Sequence, residues 1–208
     1  MAEYFKSKCP YIAKEILWER VEIFRQQFDN CELYPVDVEL LTELAGYEII
    51  PKKDLDDFDA FLSMNVKSII VNARRYDNPS YSRRVRFSIA HELGHAILHS
   101  NFIKQQHIES IADYTKFIRS LSDEEYSDFE WQANEFAGRL LVPREQLIVD
   151  LHIQIKLIVD QGLEEILFNN PDLVRSRLCI PIAKVFEVSE DVIERRLERE
   201  GLWPVDLE

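Results

Sequence analysis

The residues with the most chemical potential lie in one short stretch, Ser88-Ile89-Ala90-His91-Glu92-Leu93-Gly94-His95-Ala96-Ile97-Leu98-His99. Histidines four apart on a helix project from one face about one turn apart, the spacing that two imidazoles need to bind one metal ion. Glu92 stands beside the first of them, placed to accept a proton from a metal-bound water. Zinc brings the pKa of such a water to about 7, and the carboxylate then completes deprotonation and directs attack on a carbonyl. Three of the five histidines fall between His91 and His99. That clustering counts against histidines scattered as packing residues.

A site that keeps one position open for water needs a third protein ligand. The longer continuation with a downstream Gly and His is absent after His95. The acidic candidates are Glu109, Asp113, Asp123, Glu124, Glu125, Asp128, Glu130 and Glu135. Glu130 stands out because it shares a helix face with Asn134, while Ala133 and Ala137 let that helix approach the His91–His95 helix closely. Asn134 is then placed to hold a ligand imidazole by its other ring nitrogen. Glu135 points elsewhere and is the second choice. Asp123 to Asp128 read as a solvated face, and His99 as a residue that packs or supports a ligand rather than binding metal.

The elements that must position these residues follow from periodicity. Apolar residues from Ile12 to Phe28 recur at helical spacing, as do Val36 to Leu44, which end at a plausible cap, Gly46. Tyr47–Ile50 reads as a strand stopped by Pro51. Phe61–Leu62 and Ser68–Asn72 read as a β-hairpin, closed off by the Asn78-Pro79-Ser80 turn. Helices are predicted over 84–98 and 126–141, the second ending before Pro143. Between them lies a polar, acidic stretch, 101–129. The remainder is mostly helical, with breaks at Gly162 and Asn169-Asn170-Pro171 and a last helix capped by Ser189. A boundary near residue 143 divides a core of residues 1–143 from a C-terminal helical region, 144–208.

The 208 residues are 46% hydrophobic and 30% charged, values that exclude a disordered or low-complexity chain. A net charge of −13 argues against gripping a phosphate backbone, which takes clustered Lys and Arg. The three cysteines, Cys9, Cys31 and Cys179, are too far apart for a zinc knuckle or a disulfide framework. With no signal peptide and no membrane-spanning run, the expected compartment is the cytoplasm.

Two linked motifs carry a family resemblance. Arg86-Phe87-Ser88-Ile89-Ala90-His91-Glu92-Leu93-Gly94-His95 with His99, then Glu130-Trp131-Gln132-Ala133-Asn134-Glu135-Phe136-Ala137 and Leu140-Leu141-Val142-Pro143, resemble the ImmA/IrrE family of zinc metallo-endopeptidases. The likeness is good over about residues 34–143 and looser beyond. It implies one zinc ion on His91, His95 and Glu130, and Glu92 as general base. Asn134 stands where the family often has Asn or Asp. The chain departs from the pattern in the 34 residues between His95 and Glu130, which could form a lid or an exosite. The implied fold is α+β, mostly helical with a small antiparallel sheet, a gluzincin-like core. The implied partner is a protein substrate, a helix-turn-helix repressor; the charge and the lack of a spanning run lead to no expected direct contact with nucleic acid or membrane.

Peptide cleavage also requires a strand to hold the substrate and a donor for the oxyanion. The edge of Ser68–Asn72 is the expected strand, with Ile70 and Asn72 in contact with substrate. Tyr76, Tyr81, His99 and Tyr126 are the donor candidates. Arg74, Arg75, Arg83, Arg84 and Arg86 could bind an acidic substrate segment or pair with the acids Asp54, Asp56, Asp57 and Asp59. The competing readings are a catalytically silent zinc-binding regulator and a metal-sensing transcription factor. The second would use Ile180–Glu200 as a helix-turn-helix, but the acidic last helix reads better as a packing unit.

Overall fold

The protein is described by a computed structural model over residues 8–28, 34–53, 55, 58–63, 65–106 and 111–204. Cys31, Asp54, Asp56, Asp57 and Glu109 lie outside the described residues. Helix α1 (Lys14–Gln26) turns Leu17, Val21 and Phe24 into the core. Helix α2 (Val38–Leu44) starts at Asp37, whose carboxylate accepts from Leu40 N. It ends in a two-bond cap: Gly46 N donates to Glu43 O and Tyr47 N to Thr42 O. This cap puts Gly46 at φ 85°, a conformation in which a side chain would be strained.

Three strands follow, β1 (Glu48–Lys52), β2 (Ala60–Leu62) and β3 (Ser68–Asn72), in the order β1-β3-β2. β2 and β3 form the expected antiparallel pair, but β1 runs parallel to β3, so the sheet is mixed. β1 also continues through Pro51, because an edge strand tolerates a residue without an N–H. The order corrects one expectation. Ile70 and Asn72 lie on the central strand, paired on both sides, and offer an incoming peptide no free edge. Asn72 is only 4% exposed, and its side chain caps the short helix α3 (Ala73–Tyr76) by accepting from Arg74 N.

Helix α4 (Ser82–Gln105) is longer than the apolar period suggests, and α5 (Ile111–Ser120) forms within the polar stretch. Helix α6 (Asp123–Leu141) begins at a capping box in which the Ser122 and Glu125 side chains each accept from the other's backbone N–H. That box moves its start three residues ahead of Tyr126. Helices α7 (Arg144–Val159), α8 (Glu164–Asn169), α9 (Pro171–Phe186) and α10 (Glu190–Arg199) complete the chain. Ser189 occupies the N-cap position of α10, but its hydroxyl makes no capping bond. The fold is α+β and mostly helical. Among the described residues no helix is long and apolar enough to cross a membrane.

A group of buried ions joins α6 to α10. Arg139 and Arg196 both pair with Glu200, and Arg196 also donates to Val142 O. Glu135 pairs with Arg199 and accepts from Trp18 Nε1 at 2.7 Å, tying α1 to the same face.

On its other side α6 lies hard against α4. A Cβ on Gly94 would stand 3.1 Å from Phe136 Cβ and 3.2 Å from Ala133 O. The missing side chain is what permits this approach. Gly94→Val should therefore lower stability by about 2–3 kcal/mol through overpacking at the helix crossing. Urea unfolding reads this out, and a midpoint equal to wild type would show that the crossing is not tight.

Candidate metal centre

Helix α4 presents His91 and His95 one turn apart, with their Nε2 atoms 3.0 Å from each other. Helix α6 brings Glu130 opposite, its two oxygens 3.4 Å from His91 Nε2 and 3.7 Å from His95 Nε2. One ligand atom from each of the three lies within 4.8 Å of the others. A tetrahedral ion with bonds of about 2.0–2.1 Å separates its ligands by about 3.4 Å, so the spacing fits a small divalent ion. The His95 side chain is 3% exposed and Glu130 29%, which leaves the cluster open on the Glu130 side.

The other ring nitrogens are also engaged, as metal-binding imidazoles require. His91 Nδ1 lies 3.1 Å from Asn134 Oδ1, so the ring donates to the amide oxygen. His95 Nδ1 lies 3.0 Å from His99 Nδ1, and His99 Nε2 lies 3.3 Å from Gln132 Oε1. Gln132 Nε2 donates to Pro10 O at 3.2 Å, which turns its oxygen towards His99. The hydrogens then follow in order along the chain. His99 must carry its proton on Nε2, which leaves Nδ1 to accept from His95 Nδ1–H. His95 Nε2 is thereby left with its lone pair facing Glu130 and His91. Phe129 stacks on His95 at 4.1 Å between centroids and closes the apolar side.

Glu92 Oε2 accepts from Leu62 N at 2.7 Å, which holds the carboxylate against β2. Burial pushes its pKa up to about 7, against the pull of His91 and the Leu62 N–H. Burial also lowers His91, but the Glu130 bond and the charges of Glu92 and Glu130 outweigh it and the net shift is upward. His99 is pushed down to about 4, chiefly by burial, and His95 well below its usual value by burial and then by its two neighbouring histidines. Both are thus neutral at neutral pH, the form that can bind metal.

The matched family decides what this geometry belongs to. Residues 45–198 match the model of the IrrE N-terminal-like domain, peptidase family M78. The chain belongs to this family. No curated protein matches the chain. Membership in M78 implies a metal ion, and the His91–His95–Glu130 group can hold one.

Other residues of this M78 domain settle into different places. Glu135, the second-choice ligand, is on the far face of α6 with Trp18 and Arg199. Arg75 and Arg84 both bind Asp59, and Arg86 reaches Glu187 and Val36 O. Tyr76 OH is committed to Glu39, 37 residues earlier. Tyr126 is 44% exposed, one turn before Glu130, whose charge pushes its pKa up.

A residue absent from the sequence candidates is Tyr114 on α5. Phe117, one turn on, is fully buried against Phe102 and Phe129, so this face of α5 turns to α4 and α6. The Tyr114 phenol is held well above its usual pKa by burial first and then by Glu92, Glu130 and Tyr126. The signal is present inside the polar stretch: Ile111, Tyr114, Phe117 and Ile118 recur at helical spacing, although the surrounding acids hide it. Gln132→Leu should break the Pro10–Gln132–His99–His95 chain and weaken binding of one divalent ion about 10- to 100-fold. Competition with a chromophoric chelator measures this, and wild-type affinity in the variant would remove the chain's role.

Proposed function

We propose that the chain is a zinc-dependent endopeptidase of gluzincin-like build, with His91, His95 and Glu130 as ligands and Glu92 as general base. The observation that carries the reading is the convergence of two imidazole Nε2 atoms and a carboxylate beside a second, buried carboxylate. A donor set of two histidines and one glutamate is the set of catalytic zinc in peptidases. When bound, zinc would polarise the scissile carbonyl and lower the pKa of the attacking water.

The chain's own residues account for the rest. Glu92 takes a proton from the water and passes it to the leaving nitrogen, a role for which its buried carboxylate beside His91 is placed. Asn134 and His99 orient the ligand imidazoles through Nδ1. The peptide pairs with β2 rather than with β3. Asn72 N donates to Asp59 O and Ser63 N to Ser68 O, so by alternation Ala60 and Leu62 turn their N–H and C=O groups away from β3. The Leu62 N–H is taken by Glu92, so the peptide pairs through the Ala60 N–H and C=O and the Leu62 C=O, beside the reacting carbonyl. Tyr114 OH supplies the donor for the oxyanion, with α5 covering the site.

The substrate is a protein, for which we propose a helix-turn-helix repressor in the cytoplasm. Residues 144–208 are a packing unit that braces α6 rather than a DNA reader. Glu92→Gln should keep its metal and lose cleavage of the repressor encoded beside it. Cleavage by that variant at the wild-type rate would end the reading, and binding without cleavage by wild type would make the protein a regulator that holds its partner. Tyr114→Phe should lower kcat about 100-fold with KM little changed, and Tyr126→Phe much less. Equal rates for Tyr114→Phe and wild type would return the donor to the other candidates.

A further inference from the structure

A cavity of about 470 Å³ opens at the Asp59 end of β2, and nothing in the proposed chemistry uses it. Its wall includes Arg83, Arg84, Arg195, Ser88, Asp59 and Asp191. Ser88 lies three residues before His91 on α4, and Asp59 immediately precedes β2. The cavity therefore lies beyond one end of the free β2 edge and within a turn of the first histidine. A second cavity shares Phe87, Val192 and Arg195 with it and reaches Asn134, the residue that holds His91.

The charges of the wall are not balanced. Three guanidinium groups face two carboxylates, a surplus of one positive charge in a chain of net charge −13. Asp59 is fully occupied, since Arg75 joins Arg84 on it. Arg83 meets Glu190 only at 3.8 Å, with both side chains 40% or more exposed, a pair of little strength. Arg195 has no ion pair or hydrogen bond among the described residues, and Asp191, one turn earlier on α10, does not reach it. Arg195 is thus the free cation, with Arg83 easily recruited.

We infer that this cavity is a specificity subsite that takes an acidic side chain, Asp or Glu, of the peptide lying on β2. The inference rests on the peptidase reading. A peptide paired with Ala60 and Leu62 runs off the strand at Asp59, and its next side chains meet the cavity. There a carboxylate finds a guanidinium fork without displacing an existing buried pair. α10 takes part in substrate selection through Arg195, a role separate from its packing through Ile193, Arg196 and Leu197.

The test digests a peptide library derived from a whole proteome with the zinc-loaded protein and reads residue frequencies around each cut by mass spectrometry. Wild type should enrich Asp and Glu over Asn and Gln by about tenfold at one position near the cut. The double variant Arg83→Glu/Arg195→Glu should reverse the preference to Lys and Arg. Arg177→Glu, the same kind of substitution at an exposed position on α9, should keep the wild-type profile. Cleavage with no acidic preference, or a preference that survives the double variant, overturns the subsite. Failure of wild type to cut any peptide would instead sink the peptidase reading. The subsite is then judged by fluorescence anisotropy on zinc-loaded Glu92→Gln protein, with two labelled octapeptides that differ by one Glu or Gln. Binding about tenfold tighter for Glu, lost on Arg195→Glu, supports it; equal binding overturns it.

Discussion

A metal site drawn from two helices works only if those helices stand at the separation that bonds of about 2 Å dictate. Here that separation is set at Gly94, where α4 carries no side chain and the Phe136 Cβ and Ala133 carbonyl of α6 fill the space. Ala133 and Ala137 keep the facing surface of α6 low and are fully buried. Close crossing lets Glu130 reach across to His91 and His95, and lets Asn134 and Gln132 reach the rings from the next turns. A larger residue at the crossing would move the carboxylate and both supporting amides together.

The rotation of α6 about its own axis matters as much as its distance. Glu130 and Glu135 are five residues apart, about 140° around the helix. One faces the histidines, and the other is held by Trp18 and Arg199 in the buried ion group that also engages Arg196. Buried charges of this kind tolerate little displacement, because losing one partner strands the other. The ion group thereby locks the face that presents Glu130, and through it α1 and α10 support the metal ligands without contacting them. The N-terminal segment contributes in the same way through Pro10 O, the last acceptor behind Gln132. The amides and imidazoles behind the ligands are each hydrogen-bonded in turn, Asn134 to His91, His99 to His95, Gln132 to His99 and to Pro10 O, which holds the rings in one orientation.

The parts of the candidate site that depend on spacing along one helix are legible in the sequence, and the fold brings His91, His95 and Glu130 together. His91, His95 and Glu92 follow from a helical repeat, and Glu130 with Asn134 from a second one four residues apart. The parts that depend on which elements meet are not legible there. Ser68–Asn72 is the substrate strand expected from sequence, yet an unbroken Ile69-Ile70-Val71 run is itself the mark of a strand covered on both sides. The edge strand nearest Glu92, β2, is three residues long and reads weakly, as edge strands do. Tyr114 lies in a polar stretch whose short apolar period, Ile111, Phe117 and Ile118, becomes meaningful once α5 is seen packed on Phe102 and Phe129. The long α4 and the mixed sheet are likewise products of tertiary packing and not of local propensity.

Crystals of the zinc-loaded protein, measured on either side of the zinc absorption edge, test the central claim most directly. The account predicts a single anomalous peak about 2.0–2.2 Å from His91 Nε2, His95 Nε2 and a Glu130 oxygen, with Asn134 and His99 still on the Nδ1 atoms. A peak coordinated elsewhere, or zinc that leaves Glu130 unbound, would contradict it.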